Sequence, residues 1–238
     1  YGLVGSEMCI RDREYKLHDL MAKSKNPTIA PYAGTGEVKL RVTASLPEGE
    51  DAETLLQPAI KKILAAAGDY CYGIDVPDLQ TAVVQSLRQK GLTVASAESC
   101  TGGLVAARLT EVPGASAVFG CGIVSYNNTV KAEVLGVDPA IIEQHTAVSA
   151  ETAAAMAEAV RKKSGADIGI GVTGNAGPSA SEGQPVGLVF VAVASEKYSH
   201  VSRLFIDRHD ADARNLIRHF AALKALSLIL RAAGYYKE

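Results

Sequence analysis

The chain has 238 residues, 47% of them hydrophobic and 21% charged, a globular balance that excludes a disordered, collagenous or coiled-coil protein. Its 24 Lys and Arg nearly cancel 26 Asp and Glu, so a formal charge of −2 offers no broad attraction to nucleic acid or an anionic membrane, although one local basic site is compatible with it. The 4 cysteines, Cys9, Cys71, Cys100 and Cys121, form no CxxC pair and no disulfide framework, and no apolar run reaches the ~18–20 residues of a membrane span. The chain reads as soluble and cytoplasmic.

Residues 1–13 (YGLVGSEMCIRDR) have neither strand nor helix periodicity and no signal-peptide layout, and are expected to be foreign to the fold, in the manner of translated sequencing-adaptor sequence fused to a truncated frame. Residues 14–75 read as a small α+β unit. Lys25-Asn26-Pro27 and Pro31-Tyr32-Ala33-Gly34 carry turn chemistry, Glu37 to Ala44 alternate as a half-buried strand, and Leu55 to Leu64 recur at helical spacing up to Gly68, with a kink or start at Pro58. Tyr70-Cys71-Tyr72 reads as a short return strand and Ile74 to Asp78 as a domain boundary.

Residues 76–238 alternate. A helix from about Asp78 to Lys90 leads to a strand, Leu92 to Ala97, a helix, Gly102 to Val112, and a strand, Val118 to Tyr126. Helices at Asn128–Leu135 and Ser149–Ser164 precede a strand, Asp167–Thr173; apolar strands Val186–Ala194 and Ser199–Ile206 then lead to a last helix, Asp210–Ala232. Alternation of this kind implies an α/β fold with helices on both faces of a sheet, and ligands held beyond the carboxyl ends of its strands.

Three clusters fall at such strand ends. In Glu98-Ser99-Cys100-Thr101-Gly102-Gly103 the paired glycines permit close backbone approach, and the N–H groups of Thr101, Gly102 and Gly103 are candidates for an oxyanion nest beside a nucleophilic Ser99. Helix capping is the plain alternative for that serine. A serine needs a base, and neither G-x-S-x-G nor S-x-x-K is present. Lys131, in Ser125-Tyr126-Asn127-Asn128-Thr129-Val130-Lys131, is a base only if its pKa falls by roughly three units; otherwise it is a solvated side chain. The third cluster, Thr173-Gly174-Asn175-Ala176-Gly177-Pro178, suits a backbone shaped around a ligand, or a simple crossover loop.

These blocks, with V-P-G-A-S at Val112–Ser116, A-V-S-A-E-T-A at Ala147–Ala153 and P-V-G at Pro185–Gly187, resemble in order the carboxy-terminal domain of the CinA (competence/damage-inducible) family, whose stand-alone PncC-type members are nicotinamide mononucleotide amidohydrolases. K-N-P-T-I-A-P-Y-A and E-V-K-L-R-V-T-A resemble the family's KH-like middle domain, whereas nothing resembles its amino-terminal domain, so the associated ADP-ribose hydrolysis is not expected. The resemblance implies an α/β/α layered sandwich over 76–238 with a small KH-like companion over 14–75. It also implies deamidation of nicotinamide mononucleotide without metal or cofactor, and a homodimer. By motif, Ser99 is the nucleophile, Lys131 the base, Tyr126 a hydroxyl supporting proton transfer, and Thr173, Gly174 and Arg214 hold the substrate. Arg214 suits a phosphate, although a length difference over Asp207–Arg214 leaves Arg208 in competition. Asn175 replaces the isoleucine of the common G-I-A-G-P form.

Two rival bases of chemistry remain. Cys100 is a possible nucleophile but needs a thiolate, and His145 lies in an ordinary connection between helices. The alternative to an enzyme is a competence-related interaction or nucleic-acid-binding module. Against RNA, the KH-like region has Gly34-Thr35-Gly36 in place of the G-x-x-G clamp and no strong basic excess, so nucleic acid is not the expected partner.

Overall fold

The computed structural model describes residues 2–3 and 17–234, and the chain divides into two compact units between Leu79 and Gln80. The expectation for residues 1–13 lies outside the described residues except at β1 (Gly2–Leu3), which pairs with Lys39 and Val38.

The first unit contains α1 (17–23), β2 (Thr28–Ala33), β3 (Val38–Thr43) and α2 (Glu53–Ala67), with the antiparallel sheet order β1-β3-β2. Leu17, Ile29, Leu40 and Ile63 form its core. Two readings are corrected here. Pro31 to Ala33 are the end of a strand rather than a turn, because β2 is an edge strand, where a proline without an N–H breaks no ladder. Tyr70 to Tyr72 return only as a single β-bridge at Cys71 rather than a strand: residues 68–70 make a 3₁₀ turn, and Tyr72 is buried with its hydroxyl donating to Glu37 Oε1 at 2.7 Å. Pro58 lies inside α2, which starts earlier, at Glu53.

The second unit has α3 (Leu79–Lys90), β4 (Val94–Glu98), α4 (Leu104–Thr110), β5 (Phe119–Val124), α5 (Pro139–His145), α6 (Ala150–Ser164), β6 (Ile168–Gly174), β7 (Leu188–Ser195), β8 (Ser199–Phe205) and α7 (Ala213–Ala232). The sheet order is β5-β4-β6-β7-β8. β4 runs parallel to β5 and β6, and β7 and β8 form an antiparallel extension. This is an α/β/α sandwich: α6 covers one face, while α4 and α7 pack together over the other.

Local chemistry explains α6. Ser149 caps it by accepting from Thr152 N at 3.1 Å, Glu151 faces the positive end of the helix, Arg161 to Lys163 face the negative end, and Gly165 stops it at φ +70°. Its apolar stripe (Ala153, Met156, Ala157, Val160) lies so close to β6 that a Cβ on Gly169 or Gly171 would stand 2.0 or 2.2 Å from the Ala157 or Ala153 carbonyl oxygen. The two glycines of β6 therefore serve helix–sheet contact. That contact fixes the end of β6 beside the end of β4, with Val172 opposite Glu98.

Candidate active site

Because β4, β5 and β6 are mutually parallel, their carboxyl ends deliver Glu98-Ser99, Ser125-Tyr126 and Thr173-Gly174 to one edge. Ser99 follows directly on β4, its N–H donating to Val172 O at 2.9 Å. The turn after it passes through Gly102 (φ +59°) and Gly103 (φ +92°), the left-handed region open to glycine, before α4 begins.

Ser99 does not cap that helix. Glu98 does: it is 1% exposed, and its Oε2 accepts from Gly103 N (3.1 Å) and Val105 N (3.0 Å) while Oε1 accepts from Ala106 N (2.9 Å) and Ser96 Oγ (3.2 Å). The protein's own carboxylate thus occupies the positive end of α4. This corrects the oxyanion nest. Gly103 N–H is given to Glu98, and Gly102 N–H donates to Ser99 O at 3.0 Å, so neither faces a ligand. Cys100, next to Ser99, carries a buried thiol. That thiol is pushed up to about 12, chiefly by burial, with Glu98 adding to the shift and Arg218 opposing it; it stays protonated at neutral pH, which removes the thiolate that a Cys100 nucleophile requires.

Lys131 reaches Ser99 from the next crossover. Asn127 Oδ1 accepts from Val130 N at 2.8 Å and Asn127 O from Lys131 N at 3.1 Å, starting a π-helical segment, Val130–Leu135, that closes on Gly136 at φ +91°. A π turn is an uncommon geometry associated with functional sites, and here it turns a lysine inward. Lys131 is 1% exposed, and its Nζ lies 3.3 Å from Ser99 Oγ. Burial holds its pKa below the ordinary 10.5, against an upward pull from Glu182 and Cys100.

Tyr126 is exposed and hydrogen-bonds neither residue. Its hydroxyl accepts from Arg214 Nη2 at 3.1 Å, and Arg214 Nη1 donates to the Gly177 carbonyl, so the guanidinium ties the ends of β5 and β6 to the start of α7. Arg208 is instead turned toward Asp210 Oδ2, 3.6 Å away. Thr173 is buried, its hydroxyl donating to Ala147 O at 2.6 Å and leaving lone pairs free to accept. Gly174 has a packing reason: a Cβ there would lie 2.7–2.8 Å from Val189 and the Leu188 carbonyl. His145 ends α5 with its Nδ1 3.9 Å from Glu151 Oε1, outside the cluster.

Asn175 organises the loop 175–187. Its Nδ2 donates to Ser179 O and Gln184 O, both at 3.1 Å, and its Oδ1 accepts from Gly177 N at 2.9 Å. Sequence reading missed three residues of this edge: Glu98, Glu182 and Arg218. Arg218 Nη2 donates to Thr101 O at 2.9 Å. The one available signal was the spacing of Arg214 and Arg218, four apart and therefore on the same face of a helix. Thr101 Oγ1 and Ser125 Oγ, both fully buried, have no hydrogen-bond partner among the described residues. Among the described residues no three His, Cys, Asp or Glu side chains group to hold a metal ion, and no helix is long and apolar enough to cross a membrane.

The family profile of the CinA C-terminal domain matches residues 77–233, and that of the damage-inducible protein CinA KH domain matches 12–73. A CinA-like protein of Dictyoglomus turgidum is 41% identical over 219 residues, 92% of this chain and 52% of that protein. One from Kosmotoga olearia is 42% identical over 218 residues, 91% of this chain and 52% of its own. The chain spans about half the length of the curated relatives it matches. Among solved structures, the competence/damage-inducible protein CihA of Agrobacterium tumefaciens aligns with TM-score 0.61 and 34% identity, over 68% of this chain and 98% of that one. A CinA superfamily protein of Klebsiella pneumoniae aligns with TM-score 0.62 and 28% identity, over 66% and 97%. With both profiles matching in order and relatives alike over nine-tenths of its length, the chain belongs to the CinA family.

Proposed function

We propose that this chain is an amidohydrolase that converts nicotinamide mononucleotide to nicotinic acid mononucleotide and ammonia. One observation carries the reading: a buried lysine with a depressed pKa, 3.3 Å from the hydroxyl of a serine at a strand end. Burial favours the neutral amine, the form that can accept a proton. Lys131 takes the Ser99 proton as Oγ bonds to the carboxamide carbon. It then passes that proton to the amide nitrogen, the C–N bond breaks, ammonia leaves, and an ester on Ser99 remains. Water attacks the ester carbon, giving one proton to Lys131; the C–O bond to Ser99 breaks, and Lys131 returns the proton to Oγ.

Arg214 is the proposed phosphate ligand. Its fork has no carboxylate partner among the described residues and bonds only neutral oxygens, those of Tyr126 and Gly177, so its charge remains available to an anion. Homodimerisation and a cytoplasmic location belong to the same proposal, as family expectations. The test is ammonia release from nicotinamide mononucleotide by the purified chain beside a Ser99→Ala control. Release only by the unmodified protein, and far less from free nicotinamide, is the expected result; equal release by both proteins refutes the reading.

A further inference from the structure

Glu182 stands at the tip of a tight turn. Ser181 and Gln184 exchange backbone hydrogen bonds (Ser181 N to Gln184 O, 3.3 Å; Gln184 N to Ser181 O, 2.9 Å), and the two residues between them both have positive φ, +52° at Glu182 and +72° at Gly183. Two positive φ values in a two-residue loop define a type I′ turn, whose first central position favours Asn, Asp or Gly. A glutamate is not what the turn asks for, and a residue with a Cβ is uncommon at such a φ. Its length has a use elsewhere. The carboxylate leaves its own loop and accepts from Ala147 N at 2.8 Å through Oε2 and from Asn128 Nδ2 at 3.5 Å through Oε1.

Both partners belong to segments that build the site. Asn128 lies in the turn whose next residues enter the π-helical segment bearing Lys131, and the carbonyl of Ala147 accepts the hydroxyl of Thr173. Lys131 itself makes its side-chain hydrogen bond to Ser99, a neutral group. Among the described residues, the charged or titratable groups that act on it are Glu182, from the loop, and Cys100, from the turn after β4; the thiol is held protonated, which leaves the carboxylate as the charge among them at neutral pH.

We propose that Glu182 is a positioning residue for the reaction: it fastens the tip of the loop 175–187 to the Asn128 and Ala147 segments and there serves as the counter-charge to Lys131. The inference rests on Lys131 as the base of the proposed deamidation. A neutral amine takes the serine proton, but the next step needs the ammonium form to persist long enough to protonate the departing nitrogen. A carboxylate hydrogen-bonded to Asn128, three residues before Lys131, while the amine itself bonds Ser99, favours that form without trapping it in an ion pair. It also pins the loop whose Gly177 carbonyl receives Arg214, so one side chain links the base to the substrate-side arginine.

Glu182→Gln keeps the length and an acceptor for Ala147 N–H while deleting the charge; Glu182→Asp keeps the charge but shortens the reach. The first measurement is titration of Lys131 Nζ by NMR of ¹⁵N-lysine-labelled full-length protein, with the resonance assigned through Lys131→Met. The expected result is that Lys131 in Glu182→Gln titrates lower than in the unmodified protein by roughly half a pH unit or more, with a smaller shift of the same sign in Glu182→Asp. In parallel, the acidic limb of kcat/KM for nicotinamide mononucleotide moves down with the NMR titration, which a purely structural loss of loop contact would not produce. Unchanged or raised Lys131 titration in Glu182→Gln overturns the proposal; if that variant does not fold, Glu182→Asp decides by the same criterion. A lowered titration in a protein that releases no ammonia upholds Glu182 as the counter-charge of Lys131 and refutes the deamidase reading, and with it the catalytic use of that charge.

Discussion

The Lys131 amine lies 3.3 Å from the Ser99 hydroxyl although they are 32 positions apart in the chain, with neither G-x-S-x-G nor S-x-x-K around the serine. The pair exists because β4 and β5 are adjacent and parallel, so that the turn after one and the crossover after the other leave from the same edge. Replacing Lys131 by methionine is expected to separate function from stability. Activity falls by ~10³-fold or more, as for loss of a triad member. The thermal midpoint rises by a few degrees, because an apolar chain of similar length relieves about 1 kcal/mol of unfavourable burial. Calorimetry beside the ammonia assay checks both, and a lowered midpoint would contradict the burial argument.

The same lysine makes stability depend on pH. Its folded pKa is below 10.5 and its unfolded pKa is close to it, so in the interval between them the unfolded chain binds a proton that the folded chain has released. Stability therefore rises with pH across that interval and this contribution levels off above 10.5, where both states are neutral. Urea unfolding at a series of pH values should show the rise in the unmodified protein and a smaller slope in Lys131→Met.

Tyr126 was expected to assist proton transfer, yet its hydroxyl holds Arg214. Tyr126→Phe removes an acceptor from a charged donor, an interaction of about 1.5–3 kcal/mol. The expected consequence is a KM for the phosphorylated substrate raised ~10-fold or more with kcat nearly unchanged. A fall in kcat at constant KM would return Tyr126 to the proton path.

Asn175→Ile restores the residue of the common family form, and it is expected to destabilise this chain. Gly177 N–H and the carbonyls of Ser179 and Gln184 would each lose the side chain that satisfies them. A cost of about 2 kcal/mol follows from unmade hydrogen bonds around a buried polar group. Limited proteolysis should cut first within 175–187, and equal protease resistance in both proteins would contradict the prediction.

Gly171→Ala tests the helix–sheet contact that sets the site. The added Cβ would meet Ala153 O at 2.2 Å and Ala157 N at 2.7 Å, backbone atoms that cannot move without shifting α6. About 3 kcal/mol or more of destabilisation is expected, seen as a lowered midpoint or loss of soluble protein.

The sandwich was legible because its signals are local. The short apolar runs of Val94–Glu98 and Ile168–Gly174, the stripe of α6 and the strand-end glycines are each patterns over a few neighbouring residues. The failures were equally physical. Pro31 reads as a turn until the strand beside it shows that its missing N–H points off the edge of a sheet. The nest at Gly102-Gly103 reads as open until Glu98 is seen to fold back onto the helix it precedes.

By itself the sequence determined the order of strands and helices, the membership of a family and the three clusters from which a site could be drawn, since periodicity, turn chemistry and motif order are properties of neighbouring residues. Only the tertiary structure decided what those residues do there. It buried Lys131 against Ser99, gave Tyr126 to Arg214, filled the α4 N-terminus with Glu98 and carried Glu182 across to Ala147. Burial and hydrogen-bond partnership are set by chain segments far apart in sequence, and a lysine's basicity or an amide's freedom to bind a ligand follows from them.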